Sequence, residues 1–293
     1  MNVEALNFKK LLYFSDLAAT GSFSKSARRL GIAQPALSIS MRKLEEDVGL
    51  KLINRAERRM TLTSDGEVLL KYARLIMAQL DEASQELGEL KGLESGVVHL
   101  GASAMLSSYL LAPKLIAFKQ LYPGIRLRLT EAGTDTLEQM VINGELDLAL
   151  VRYEPEHEQI RHAEKLAEQI VALLPTHHHL AQKSAISVEE FSQQPLVLFR
   201  KGYFLRESIE VRARQAKRTL DIRFETNLIE LMKKLVLAEV GLSTCLDMIV
   251  ENDARLCTRP FDPPIPLNLA WGWRKNHYLS QASQAFLTFW KGN

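Results

Sequence analysis

Residues Gly21–Val48 read GSFSKSARRLGIAQPALSISMRKLEEDV, and the punctuation of this stretch decides the N-terminal fold. Ser22 or Ser24 can start a short helix running through Leu30, because a serine hydroxyl accepts from the free amides of a first turn. Gly31 ends it by tolerating positive φ. Ala33-Gln34-Pro35 opens the next helix, with Pro35 where a missing amide costs nothing. Two short helices across a tight glycine turn make a helix-turn-helix unit. Upstream, Phe8, Leu11, Leu12, Phe14, Ala18 and Ala19 share one helical face over 7–19, and Gly21 closes that helix.

The helix predicted over about 35–47 has two unlike faces. At 100° per residue, Leu37, Met41, Leu44 and Val48 fall within a stripe about 60° wide, which must be the buried side. Opposite lie Pro35, Ile39, Arg42 and Glu46, flanked by Ser38 and Lys43. Such a face suits the major groove: Ser38 can bond a base or phosphate, Arg42 a phosphate or guanine edge, and Ile39 a thymine methyl. The alternative is an ordinary solvated helix. Residues 51–63, KLINRAERRMTLT, read as two short strands with a basic tip at Arg55, Arg58 and Arg59. A wing of this kind can follow the DNA backbone or enter a narrow minor groove; the alternative is a solvated loop.

Charge distribution supports the first reading of both. The chain of 293 residues carries a net charge of only +2. Residues 1–64 hold eleven Lys/Arg against six acids, a net of +5, and the remainder holds 26 against 29, a net of −3. A basic head on a mildly acidic body points to a polyanion partner for the head. The length suits two or three compact units, and 46% hydrophobic with 25% charged residues is a globular composition. There is no run of eighteen apolar residues, and MNVEALNFKKLLYF lacks a signal-peptide layout, so no membrane span and a cytoplasmic location are expected. Two cysteines, Cys245 and Cys257, make no disulfide scaffold.

Gly21-Ser22-Phe23-Ser24, Ala27, Leu30, Gln34-Pro35-Ala36-Leu37-Ser38, Leu44-Glu45, Gly49, Leu52, Arg55 and Leu62-Thr63…Gly66 together resemble the DNA-binding domain of LysR-type transcriptional regulators. The order and spacing match over about 60 residues, far more than a lone motif offers. The resemblance implies DNA contacts from Gln34, Pro35 and Ser38 on the recognition helix and from Arg55 on the wing. Ser24, Ile39, Arg42, Arg58 and Arg59 complete the candidate set. Ser26, Ile39, Ser40 and Ile53 depart from the residues usual in the family.

Ser64 followed by Glu67 reads as a capping box opening a long helix. Along it Leu69, Ala73, Ile76, Leu80, Ala83, Leu87 and Leu90 recur at alternating spacings of four and three, a coiled-coil seam over three heptads. So narrow a seam predicts a partner helix from a second copy; packing against the chain's own domain is the alternative. LysR-type regulators are similar in dimerising through this helix. Gly88, Gly92, Ser95 and Gly96 supply a break.

From Val97 the texture becomes alternating strand and helix: 97–102, 106–121, 125–130, 134–143 and 147–151, then a second unit with 169–174, 195–199, 204–217, 221–225 and 228–239, closed by 267–273 and 279–290. That order predicts an α/β body. Leu110-Leu-Ala-Pro113, Tyr122-Pro123, Gly144-Glu-Leu-Asp147 and Val240-Gly241-Leu242 resemble the LysR-type effector domain, which looks like a periplasmic binding protein: two lobes, two crossing segments, a ligand cleft between. The crossings are expected near Lys165–Ile170 and Pro266–Trp271. Ser103, ahead of a helix start, offers a hydroxyl and free amides to an anion. By resemblance Thr130, Phe199, Arg200, Lys201, Gly202 and Thr226 sit on the other rims. Arg200-Lys201 suggests a carboxylate or phosphate ligand, with plain solvation as the alternative.

The expected architecture is therefore α+β and multi-domain: a winged helix-turn-helix over 1–64, a linker helix over 65–92 and a two-lobed α/β effector domain over 97–293 (lobe I about 97–166 and 268–293, lobe II about 167–267). The expected function is a non-enzymatic regulator binding double-stranded promoter DNA as a homodimer that pairs into a tetramer, and responding to a small anionic metabolite. RNA polymerase is a further candidate partner. No cofactor or metal is expected: His177-His178-His179 cannot all face one ion on a regular element. An enzyme with a DNA-binding appendage is one rival, though no triad, paired carboxylates or nucleotide fingerprint stands out. A thiol oxidant sensor using Cys245 and Cys257 is the other.

Overall fold

The computed structural model describes residues 6–54, 60–89, 96–250 and 253–292. The chain divides into two compact units, the first ending at Leu90.

The first unit opens with α1 (Phe8–Thr20), α2 (Phe23–Leu30) and α3 (Gln34–Val48). Ser22, not Ser24, caps α2, its hydroxyl accepting from the Lys25 amide, and Gly31 ends it at φ 67°. Phe14, Leu17, Leu37, Met41 and Leu44 are fully buried where the three helices meet. Asp16 is buried among them and tied on both sides: it accepts from the Ser26 hydroxyl, and the Arg29 Nε lies 2.6 Å from its other oxygen. The departure at Ser26 thus has a partner one helix away. Strands β1 (Ile53–Asn54) and β2 (Thr61–Leu62) pair antiparallel, and Glu45 of α3 accepts from the Leu52 and Ile53 amides at 2.9 and 3.1 Å. One carboxylate so fixes the wing against the recognition helix. Arg55, Arg58 and Arg59, the predicted wing tip, lie outside the described residues.

Helix α4 (Ser64–Glu89) follows. Its cap is Thr63 rather than the expected Ser64: the Thr63 hydroxyl accepts from the Gly66 amide at 3.0 Å and donates to the Lys51 carbonyl at 2.6 Å. The β2 strand delivers Thr63, not Ser64, to the helix end, so the sequence signature is one residue out of phase.

The second unit holds β3 (Gly96–Ala102), a helical run over 104–121 ending in α5 (Ala112–Leu121), β4 (Ile125–Glu131), α6 (Thr134–Ile142) and β5 (Leu148–Arg152). Next come β6 (Ile160–Pro175), α7 (Val188–Ser192), β7 (Pro195–Leu198), α8 (Phe204–Gln215), β8 (Asp221–Glu225), α9 (Ile229–Leu237), β9 (Ser243–Cys245), β10 (Leu256–Arg274) and α10 (Gln281–Gly292). The main sheet runs β4-β3-β5-β10-β6-β9, with β3 parallel to β4 and β5. β7 and β8 form a separate parallel pair. The short strands expected at 169–174 and 267–273 are parts of two long ones, β6 with 16 residues and β10 with 19, paired antiparallel from Arg274↔Ile160 to Leu256↔Pro175. Both predicted crossings lie on this ribbon, and a bulge between Pro260 and Ile265 lets one pair of strands serve both lobes. Trp271, Phe118 and Phe286 fill the core beside it, with rings edge to face at 5.1 and 5.2 Å.

This sheet also separates the cysteines. Cys245 on β9 pairs with Val171 of β6, and Cys257 on β10 pairs with Leu174 on the other side of β6. Two strand spacings and three residues of offset put their Cα atoms about 14 Å apart, where a disulfide needs less than about 7 Å.

Candidate functional site

Two surfaces carry the candidate residues. On the first unit, Gln34, Pro35, Ile39 and Arg42 of α3 are exposed, Ser38 is half-buried beside them, and Ser24 is exposed at the start of α2. The buried stripe of α3 turns these residues outward. Ile39 is 63% exposed, a large apolar side chain on an otherwise polar face.

On the second unit a narrow pocket lies where strand ends meet helix starts, lined among others by Ser103, Met105, Phe199, Tyr203, Leu246 and Leu267. Two helices aim their N-termini at it. The 104–121 run begins at Ser103, whose carbonyl accepts from the Ser107 amide at 2.8 Å, and its Leu106–Leu111 turn is a π-helix. α6 begins at Thr134, which also lines the pocket, is only 8% exposed, and follows Gly133. Among the described residues neither the Ser103 nor the Thr134 hydroxyl has a protein partner. The remaining wall is apolar, with the Phe199 and Tyr203 rings stacked at 5.9 Å and 20°. Burial and the nearby Glu131 carboxylate push the Tyr203 phenol above its ordinary value, against a smaller opposing pull from Arg200.

At the rim the two lobes touch. A Cβ on Gly133 would stand 2.0 Å from the Gly202 carbonyl oxygen, and Gly202 itself sits at φ 86°. Glycine is required at one position for proximity and at the other for backbone conformation.

Two cations behind this wall, Arg206 and Arg152, are already paired. Arg206, 3% exposed on α8, donates to the Phe199 carbonyl at 2.9 Å, to Glu225 at 2.6 Å and to Glu210 at 2.7 Å. Arg152 pairs with Asp135 at 2.9 Å and Glu138 at 3.4 Å while lying 5.9 Å from the centre of the Phe204 ring.

Residues 8–67 match the family model described as bacterial regulatory helix-turn-helix protein, lysR family, and residues 91–293 match the LysR substrate binding domain. The chain belongs to the LysR family of transcriptional regulators. As a LysR-type protein it is a DNA-binding regulator with an effector-binding domain, and such regulators are not enzymes. It is 27% identical over 282 residues to the uncharacterized HTH-type transcriptional regulator YybE of Bacillus subtilis (strain 168), covering 96% of this chain and 97% of that protein. Its fold is similar to that of a full-length OxyR variant from Pseudomonas aeruginosa, with TM-score 0.70, 22% identity and coverage of 97% and 94%. It is also similar to full-length CbnR complexed with its target DNA, with TM-score 0.66, 19% identity and coverage of 98% and 99%. Among the described residues no helix is long and apolar enough to cross a membrane.

In this LysR-type regulator the structure brings Ser103 and Phe199 to the pocket and Gly202 to its rim, but four expected residues elsewhere. Arg200 and Lys201 are exposed and do not line it; the Arg200 amide donates to the Asn227 side chain at 3.0 Å. The Thr226 hydroxyl is turned away, accepting from the Leu228 amide at 3.1 Å. Thr130 stays in β4, because that strand continues to Glu131 before the chain turns. Thr134 is the residue sequence reasoning missed; its place directly after Gly133 at a helix start was the available signal. The three histidines lie on a turn with different neighbours: His177 Nε2 is 2.9 Å from Glu239, and the His178 ring accepts from the Leu180 amide.

The seam of α4 divides. Ala73 is already fully buried in the single chain, so it does not face a partner; Leu69 is half-buried against the core of the head. Ile76, Leu80 and Ala83 are exposed, joined by Val68 and Tyr72, which periodicity alone had not selected. Leu90 and the side chain of Leu87 lie outside the described residues.

Proposed function

We propose that this chain is a cytoplasmic LysR-type regulator that binds promoter DNA as a homodimer, pairing into a tetramer, and senses a small anionic metabolite in the pocket between its lobes. The division of labour is a winged head over 1–64, a linker helix over 65–92 and a sensor over 97–293. The observation that carries the sensing role is the pair of unpartnered hydroxyls, Ser103 and Thr134, at two converging helix N-termini. Backbone amides and a helix dipole favour an anion at such a point.

The DNA role rests on the outward face of α3 with the +5 head. Gln34, Pro35, Ser38 and Ile39 read base edges; Ser24, Arg42 and the wing arginines Arg55, Arg58 and Arg59 hold phosphates. The exposed apolar face of α4, from Val68 and Tyr72 through Leu80, supports pairing with a second copy. The separation of Cys245 from Cys257 argues against a thiol switch, and burial raises both thiols above their usual values. Footprinting of the chain's own promoter region, at low salt and across a metabolite panel, tests the reading: a discrete site is expected, and uniform protection overturns it.

A further inference from the structure

We infer that Ile39 reads one pyrimidine of each half-site by its 5-methyl group alone, so that thymine and 5-methylcytosine are accepted there and bare cytosine is disfavoured. Methylation of a cytosine at that position therefore strengthens binding. This rests on the reading of α3 as the base-contacting helix; it adds the base feature that helix selects and a mode of regulation.

Ile39 is 63% exposed and stands within the first two turns of α3. A lone exposed apolar side chain is ordinary on a protein surface, and the setting is what sets this one apart. At 100° per residue, Pro35, Arg42, Lys43 and Glu46 lie within about 60° of it, and all four are exposed. Ser38 flanks it, half-buried. Among the described residues the side chains of Gln34, Ser38, Arg42 and Lys43 have no hydrogen-bond or ion-pair partner. Elsewhere on the head Lys10 and Arg29 are held by Asp47 and Asp16. The polar groups around Ile39 are thus uncommitted, and a partner that satisfies them must also cover the isoleucine.

An isoleucine side chain has neither donor nor acceptor, so it is blind to the hydrogen-bond code of the major groove. The apolar feature a base presents there is the 5-methyl of thymine. The N-terminal part of a recognition helix is the part that meets base edges, and Ile39 belongs to it. A polar base edge set against Ile39 would lose water without gaining a partner, whereas a methyl group gains apolar cover. 5-Methylcytosine carries the same methyl at the same ring position. It differs in the neighbouring group, an amino donor in place of the O4 acceptor. Ser38, one residue earlier, does not separate the two, since a hydroxyl both donates and accepts. Reading the methyl without reading the donor makes the two bases equivalent.

The test uses the full chain and a duplex that the chain itself enriches from a randomised pool, with binding followed by fluorescence anisotropy. Each thymine of that duplex is replaced in turn by deoxyuridine. At one thymine per half-site, loss of the methyl should weaken binding about fourfold, the equivalent of about 0.8 kcal/mol for one buried carbon. With cytosine at the same position, 5-methylation should tighten binding by about the same factor. Ile39→Ala should reduce both differences below about twofold, and Ile39→Val should keep them. A melting temperature close to wild type, expected for an exposed side chain, separates this loss from unfolding. A methyl effect that survives Ile39→Ala assigns the methyl to another residue and overturns the inference, as does a duplex in which no thymine methyl matters. Equal binding of cytosine and 5-methylcytosine overturns the equivalence of the two bases. In these cases the DNA-reading role of α3 stands; enrichment of no sequence at all overturns both.

Discussion

Replacing Arg206 by methionine tests whether a single buried guanidinium holds the ligand-facing wall in place. Methionine keeps the buried methylenes and removes the donors. The Phe199 carbonyl then loses its donor at 2.9 Å, in a residue only 3% exposed; an unsatisfied buried group costs about 1–3 kcal/mol. The bonds to Glu210 and Glu225 also go, but those carboxylates are 28% and 48% exposed and regain water. Their loss is discounted to about 1 kcal/mol in total, for a sum near 2–4 kcal/mol. The three tryptophans, Trp271, Trp273 and Trp290, all lie in the second unit, so fluorescence during urea denaturation reports that unit alone. Arg206→Lys, which keeps the charge but not the fork of donors, should fall between. A loss below about 0.5 kcal/mol for the methionine variant, within the scatter of a neutral surface change, would show that Phe199 is held by its own packing and refute the argument.

Ser26→Ala should destabilise the head by about 1–2 kcal/mol, because buried Asp16 loses one of its two partners; hydrogen exchange of α1 and α2 amides reads it, and unchanged protection would deny the link. Arg42→Ala should lower the slope of log affinity against log salt by about 1, whereas Ser38→Ala should alter which sequences are preferred at nearly constant slope. Lysine at both Ile76 and Leu80 should give monomers in light scattering, since both side chains are exposed and apolar in the isolated chain; an intact dimer would move the interface elsewhere. Peroxide treatment should yield no Cys245–Cys257 disulfide by mass spectrometry, given the intervening β6 strand.

What sequence alone determined is what depends on short-range pattern. The helix-turn-helix was legible because Ser22, Gly31 and Pro35 act on their own neighbours, and the 3.6-residue period of Leu37, Met41 and Leu44 separates the faces of α3 without help from elsewhere. Period and propensity likewise gave the order of strands and helices in the body. The cap of α4 was misplaced by one residue because β2, a tertiary neighbour, chooses between Thr63 and Ser64. The pocket needed the fold itself. Ser103 and Thr134 are 31 residues apart and meet only because β3 and β4 lie side by side and end together. Arg200 and Lys201 look like a ligand clamp in one dimension, yet both are exposed and neither lines the pocket, while Arg206 and Arg152, which touch residues of the wall, are paired with carboxylates that include Glu225 and Asp135 of other elements. Which charges are spent and which remain for a ligand is set by pairing across elements, and one-dimensional spacing carries no information about that.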